Sequence, residues 1–258
     1  MTAFTLKIIA LSAMLIDHTG AAFPEVFPFW FRCIGRLAWP IYAYLLAEGF
    51  QHTKAPEKFL MRLLAFAAIS EIPFDLVTGH AISFAGDTNI FYTLFLGGMA
   101  IRLYERIKER RGPVGRSISD SPIQLEHSDG QTVAVIAAIL PTAILAEILG
   151  VDYGGMGVLF IFAMYAVKPR VARLIAFGGF ALSQFIPVVA ALAAAPMLGV
   201  DVSYKYLLMI PFAAATVPLI ALYNGERGVR AKWLFYWVYP AHLTVLAVVS
   251  LIINGING

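Results

Sequence analysis

The sequence predicts an all-α integral membrane protein, a polytopic bundle of about nine transmembrane helices with a cytoplasmic N-terminus. Three observations predict it. Of the 258 residues 60% are hydrophobic and only 14% charged, whereas an ordinary soluble domain carries about 25% charged residues. The apolar residues come in repeated blocks of 17 or more, and a helix rising about 1.5 Å per residue needs that length to cross some 30 Å of hydrocarbon. The basic residues, finally, gather at alternate ends of these blocks.

Spanning segments fall at 5–23, 34–51, 59–78, 89–105, 132–149, 153–168, 172–198, 205–223 and 232–254. The seventh is too long for one straight crossing. Pro187 and Pro196 predict a kink or a partly re-entrant end there, which would make the count ten if that segment crosses twice. The chain reads as one transmembrane domain over 1–258. Its substantial loop, at 106–131, is basic at first and then rich in Ser, Asp, Pro and Gly, and reads as a flexible cytoplasmic linker.

Orientation follows from the 19 Lys and Arg residues. With the N-terminus inside, all but Arg32, Arg36 and Lys205 lie at cytoplasmic ends and loops, which is 16 against three. The formal charge of +3 therefore reflects loops beside a bilayer and points away from nucleic acid. The single Cys33 excludes an intrachain disulfide. No cleavable signal is read at the start, because Met1 to Phe23 lacks a basic lead and carries Asp17 and His18 within its apolar run. No metal site is read from the pattern of residues.

Ionisable side chains inside such segments cost a few kcal/mol each, so each needs a partner, water or a purpose. Asp17 and His18 lie in the outer half of the first segment, Arg32 and Arg36 at the outer entry to the second, and Glu71 and Asp75 near the outer end of the third. Asn89 and Thr93 open the fourth at the same depth. Arg32 and Arg36 are four apart, as are Glu71 and Asp75, so two cations are expected to oppose two carboxylates. Adjacent helical residues point about 100° apart, so a carboxylate of the third segment is expected to orient His18 in place of Asp17. An imidazole titrates near neutrality and serves as a general base. Lys7 lies eleven residues before His18, three turns below it on almost the same face, with a rise of roughly 16 Å. That line suits a long anionic cofactor entering from inside. Glu48 and His52, followed by Lys54 and Lys58, share a face at the cytoplasmic end of the second segment and fit the mouth of such a site. His242 falls near mid-membrane in the last segment, and Asp152 to Gly155 close a short outer turn.

Lys7 to His18 (KIIALSAMLIDH), Gly35-Arg36-Leu37-Ala38-Trp39-Pro40, Ser70-Glu71-Ile72-Pro73-Phe74-Asp75, Asn89 to Phe95, and Tyr239-Pro240-Ala241-His242-Leu243 occur together in this sequence. In combination these motifs resemble the TraX family, whose namesake acetylates the N-terminus of conjugative pilin. The likeness covers nearly the whole chain. That family is similar in turn to the transmembrane acyltransferase (acyltransferase 3) superfamily, in which a basic residue, ten further residues and a His mark the first helix. Lys7 and His18 fit that spacing.

The resemblance implies a membrane acetyltransferase of the bacterial inner membrane that takes acetyl from cytoplasmic acetyl-CoA. Its acceptor would be an amine or hydroxyl at the outer face, by family likeness a pilin. Lys7, with Arg32, His52, Asn89 and His242, is expected to hold the acyl-CoA. His18 is expected as base, supported by Asp17, Arg36, Glu71 and Asp75. Two other readings stay open: a proton-coupled secondary transporter and a non-catalytic assembly partner of an envelope complex.

Overall fold

The structure, a computed structural model, describes residues 1–78, 88–110, 126–198 and 203–257. In chain order its helices are α1 (Ala3–Ala22), α2 (Trp30–Gly35), α3 (Ala38–His52), α4 (Pro56–Thr78), α5 (Ile90–Arg110), α6 (Glu126–Ile148), α7 (Gly154–Ala166), α8 (Arg170–Ser183) and α9 (Ile186–Leu198). A 3-10 helix (Tyr204–Met209) then leads into α10 (Ile210–Ala214), α11 (Thr216–Ala221) and α12 (Lys232–Asn257). Among the described residues there is no β-strand. Each of the nine predicted segments is helical over most of its length. Four stretches are long and apolar enough to cross a bilayer: Ala3–Ala22, Arg170–Ala195, Tyr204–Ala221 and Lys232–Ile253.

Proline lies at three of the breaks, although Pro73, Pro141 and Pro240 stand inside unbroken helices. Pro40 has no N–H for the Arg36 carbonyl and its ring crowds that oxygen, so the helix expected over 34–51 divides into α2 and α3. Pro187 does the same to the carbonyl of Ser183 and separates α8 from α9, where a kink was expected. The eighth segment, expected as one helix, is three short pieces around Pro211 and Pro218. At the expected linker, helix intrudes from both sides: α5 runs on to Arg110 and α6 starts at Glu126. Arg102 supports that extension, pairing with Glu105 at 3.7 Å and Glu109 at 3.3 Å on its own helix. Residues 111–125, the remainder of the linker, lie outside the described residues.

Polarity is distributed inside out relative to a soluble protein. Val133, Ile136, Leu140 and Ile144 form an exposed stripe along α6, and Val245, Val248 and Ile252 form another on α12. Exposed apolar faces of that extent mark contact with lipid. Ser70, Glu71, Asp75, Asn89 and Thr93, by contrast, are fully or almost fully buried. One apolar core joins α1, α3, α4, α5, α7 and α12 through residues such as Leu6, Ile41, Leu63, Ile101, Ile161 and Leu243. Where α5 meets α7, a Cβ on Gly97 would overlap the Ile161 side chain, so only glycine allows this approach.

Two helices bring the first and last segments of the chain together. α1 and α12 lie side by side and run the same way, with the Lys7 ammonium 5.4 Å from the Phe235 ring centroid near their starts. Further along both helices, His18 meets His242.

Candidate functional site

His18 Nδ1 and His242 Nε2 are 2.6 Å apart. The ring planes lie within 13° and the centroids 4.9 Å apart, as in-plane hydrogen bonding between two imidazoles requires. His242 Nδ1 also lies 2.8 Å from the Val238 carbonyl oxygen one turn earlier. A carbonyl only accepts, so Nδ1 of His242 carries the proton, and Nε2 of the neutral ring is a lone pair. His18 Nδ1 must then donate across the 2.6 Å contact, leaving its own Nε2 unprotonated. The backbone of α12 thereby sets the tautomer of both rings.

Beside this pair, Asp17 forms ion pairs with two guanidiniums. Arg32 Nη1 is 2.6 Å from Oδ1 and Arg36 Nη2 is 3.2 Å from Oδ2. Arg32 Nη1 also donates to the Asp17 carbonyl at 3.2 Å, and Arg36 Nε to the Arg32 carbonyl at 3.3 Å. Asp152, at the adjoining turn, is a second carboxylate close enough to act on Arg36. The closeness of the ion pairs depends on Gly35: a Cβ there would overlap the Asp17 carboxylate, so any larger residue drives α2 away from it.

The expected arrangement of carboxylates is therefore corrected. The arginines gather on Asp17 of the first helix, not on the third predicted segment, and His18 is oriented by His242, not by Glu71 or Asp75. The reason is packing: α2 lies along α1, which puts Asp17 within reach of both arginines, and α12 takes the place beside His18. Glu71 and Asp75 do share a buried face of α4, but Glu71 Oε2 accepts from the backbone N–H of Asn89 at 3.2 Å and from its side-chain amide. Asn89 also donates to the Ala67 carbonyl at 2.8 Å and accepts from Phe91 N–H at 3.0 Å. All its polar groups are thus engaged in capping α5 and bracing it on α4, and none is left for a cofactor. Thr93 donates to the Asp152 carbonyl. In the turn itself Gly150 and Gly154 adopt φ of 58° and 50°, as does Tyr153 at 65°. For an aromatic residue that conformation is strained, and stacking on Trp39 at 4.3 Å holds it.

Below the histidines lies a cavity of about 610 Å³, bounded by α1, α3, α4, α5, α12 and the segment preceding α12. That is a usual size for a small-molecule site. Lys7, Lys54, Arg62, Arg227 and Lys232 line it, with Glu48 the opposing carboxylate. Glu48 is itself held by Arg173 at 2.9 Å and His52 at 3.3 Å, so the five cations face the hollow without compensation from it. Further in, the walls become apolar, with Leu45, Leu63, Phe91, Leu94 and Tyr236, and end at Tyr239.

Sequence reasoning placed Glu48, His52, Lys54 and Lys58 at the mouth with Lys7, and all of these but Lys58 line this cavity. It missed Arg62, Arg227 and Lys232. Their only signal was membership of the basic ends counted for orientation. Arg32, Asn89 and His242, expected around a cofactor, stand outside the lining. Among the described residues no group of three or more His, Cys, Asp or Glu side chains is placed to hold a metal ion.

A lipid-facing helical bundle with a cationic cavity and a tautomer-fixed histidine pair defines a membrane protein with a buried polar site. Its family is shown by sequence: the family described as TraX protein matches residues 3–250, and the chain belongs to it. It is also 28% identical over 259 residues to the probable fimbrial assembly protein FimC, serogroup H1, of Dichelobacter nodosus, an alignment covering 95% of this chain and 94% of that protein. No solved structure matches the chain.

Proposed function

We propose that this chain is a multi-pass inner-membrane acetyltransferase with nine crossings and its N-terminus in the cytoplasm. It moves an acetyl group from cytoplasmic acetyl-CoA to an amine or hydroxyl at the outer face. The observation that carries the reading is the polarity of the hydrogen-bond chain from His18 through His242 to Val238, which leaves a bare ring nitrogen on His18. Supporting it is the cavity, whose five cations suit the phosphates of a nucleotide and whose inner wall suits an uncharged arm. The cations also support a cavity mouth on the cytoplasmic side.

In this mechanism the Tyr239 ring that ends the cavity swings aside for transfer, and His18 Nε2 takes the proton of the acceptor as its nitrogen or oxygen attacks the thioester carbonyl. Positive charge from Arg32 and Arg36 stabilises the oxyanion. Collapse breaks the carbon–sulfur bond, and the proton on His18 passes to the departing CoA thiolate. His242 orients the base, in the role first expected for Glu71 or Asp75. A pilin N-terminus is the preferred acceptor, on the strength of the family and of the relative described as a probable fimbrial assembly protein.

The test is His18→Ala in reconstituted vesicles supplied with labelled acetyl-CoA on the inside. Label should no longer reach the outer acceptor, and undiminished transfer would remove the mechanism. Mass spectrometry of envelope proteins with and without this chain should show a gain of one acetyl mass on the acceptor.

A further inference from the structure

The cavity and the histidine pair do not meet. Along α1 the lining runs from Ala3 to Met14, and along α12 from Lys232 to Tyr239. These are about 16 Å and about 10 Å of helical rise. His18 lies four residues beyond Met14 and His242 three beyond Tyr239, so both imidazoles stand one turn past the inner wall. Tyr239 fills that interval. It lines the cavity on one side, and on the other its ring packs edge-on against His18 at 5.8 Å and His242 at 5.5 Å between centroids. Phe91 meets it edge-on at 5.1 Å, and the residue is only 3% exposed. A ring held by three aromatic neighbours in a close-packed interior does not yield gradually.

We propose that Tyr239 is the specificity-determining residue of the donor site, the floor that limits the acyl group to a short one. The proposal rests on the reading of this cavity as the acyl-CoA site. A two-carbon acyl end fits between the apolar walls and the phenol ring, whereas each further methylene must displace a ring that also holds the histidine pair in place. Because Tyr239 neither lies among the mouth cations nor touches the nucleotide end, its replacement should change acyl-length preference and leave the grip on CoA intact.

The test uses the full chain in lipid nanodiscs as wild type, Tyr239→Ala and Tyr239→Leu. Binding of CoA, acetyl-CoA, butyryl-CoA and hexanoyl-CoA is measured by displacement of labelled CoA. Wild type should prefer acetyl-CoA over butyryl-CoA by about tenfold or more, the usual discrimination for a methylene or two in an apolar pocket. In Tyr239→Ala that preference should vanish or reverse, with Tyr239→Leu between the two and bare CoA bound alike by all three. Equal preference in all three proteins, with CoA binding retained, overturns the floor and leaves the donor site standing. Loss of bare CoA binding in both variants also overturns it, since a floor residue does not hold the nucleotide. Failure of the wild type to bind CoA removes the donor-site reading itself.

Discussion

At the Lys7 end of α1 the charged groups face an open hollow, while at the His18 end they face one another. Five cations line the cavity against one carboxylate already engaged by Arg173 and His52, an arrangement with unspent charge and room to use it. Around His18 the contacts are short and closed: imidazole on imidazole, imidazole on carbonyl, two guanidiniums on one carboxylate. On the proposed function, the first region would attract an anion and tolerate loss of any one member. The second would hold one arrangement of protons and need each member.

That contrast breaks first at His242. His242→Ala removes the group that sets the His18 tautomer, so transfer of labelled acetyl should fall by about two to four orders of magnitude, the range for positioned acid–base catalysis, while displacement of labelled CoA is unchanged. Parallel loss of binding and transfer would mean that the two regions are one. Next is Asp17→Asn, which leaves Arg32 and Arg36 without their counter-charge. Removing one member of a buried ion pair costs about 3 kcal/mol, and the thermal unfolding temperature in detergent should fall accordingly, whereas an unchanged temperature would show that the arginines are solvated.

A smaller effect is expected at the open end. Lys7→Ala or Arg62→Ala removes one charged contact of about 1.5 kcal/mol, so the KM for acetyl-CoA should rise about tenfold with kcat unchanged, and the effect should shrink in high salt. A fall in kcat instead would move these residues into the chemistry. The smallest effect is at Glu57, where α4 begins. Its own backbone amide first, then Arg102 at 2.8 Å and Arg106 at 3.1 Å, hold its carboxyl down to about 2 from 4.5. A carboxyl depressed on folding stabilises above its unfolded value and loses that contribution as pH falls through the folded one. The small gap in unfolding temperature between wild type and Glu57→Gln should therefore persist at pH 7 and close between about pH 4.5 and pH 2. A gap that does not change with pH would mean that the ion pairs do not form.

Hydropathy and charge in the sequence alone determined the helical class, nine helical segments, the break at Pro187 and the grouping of Lys7, Glu48, His52 and Lys54. These are local properties: helical spacing and the reach of one turn follow from residues close in the chain. Only the tertiary structure decided who meets whom. His18 and His242 are 224 residues apart, and nothing in either helix names the other as its partner. The choice of Asp17 over Glu71 and Asp75 by the arginines came from α2 lying along α1, which requires a glycine at position 35. Asn89 was turned from a candidate ligand into a brace by the packing of α5 on α4. The same packing set Tyr239 across the path that helix geometry had suggested was continuous. Periodicity assigns a side chain to a face, but contact between faces depends on close packing among helices that are distant in sequence.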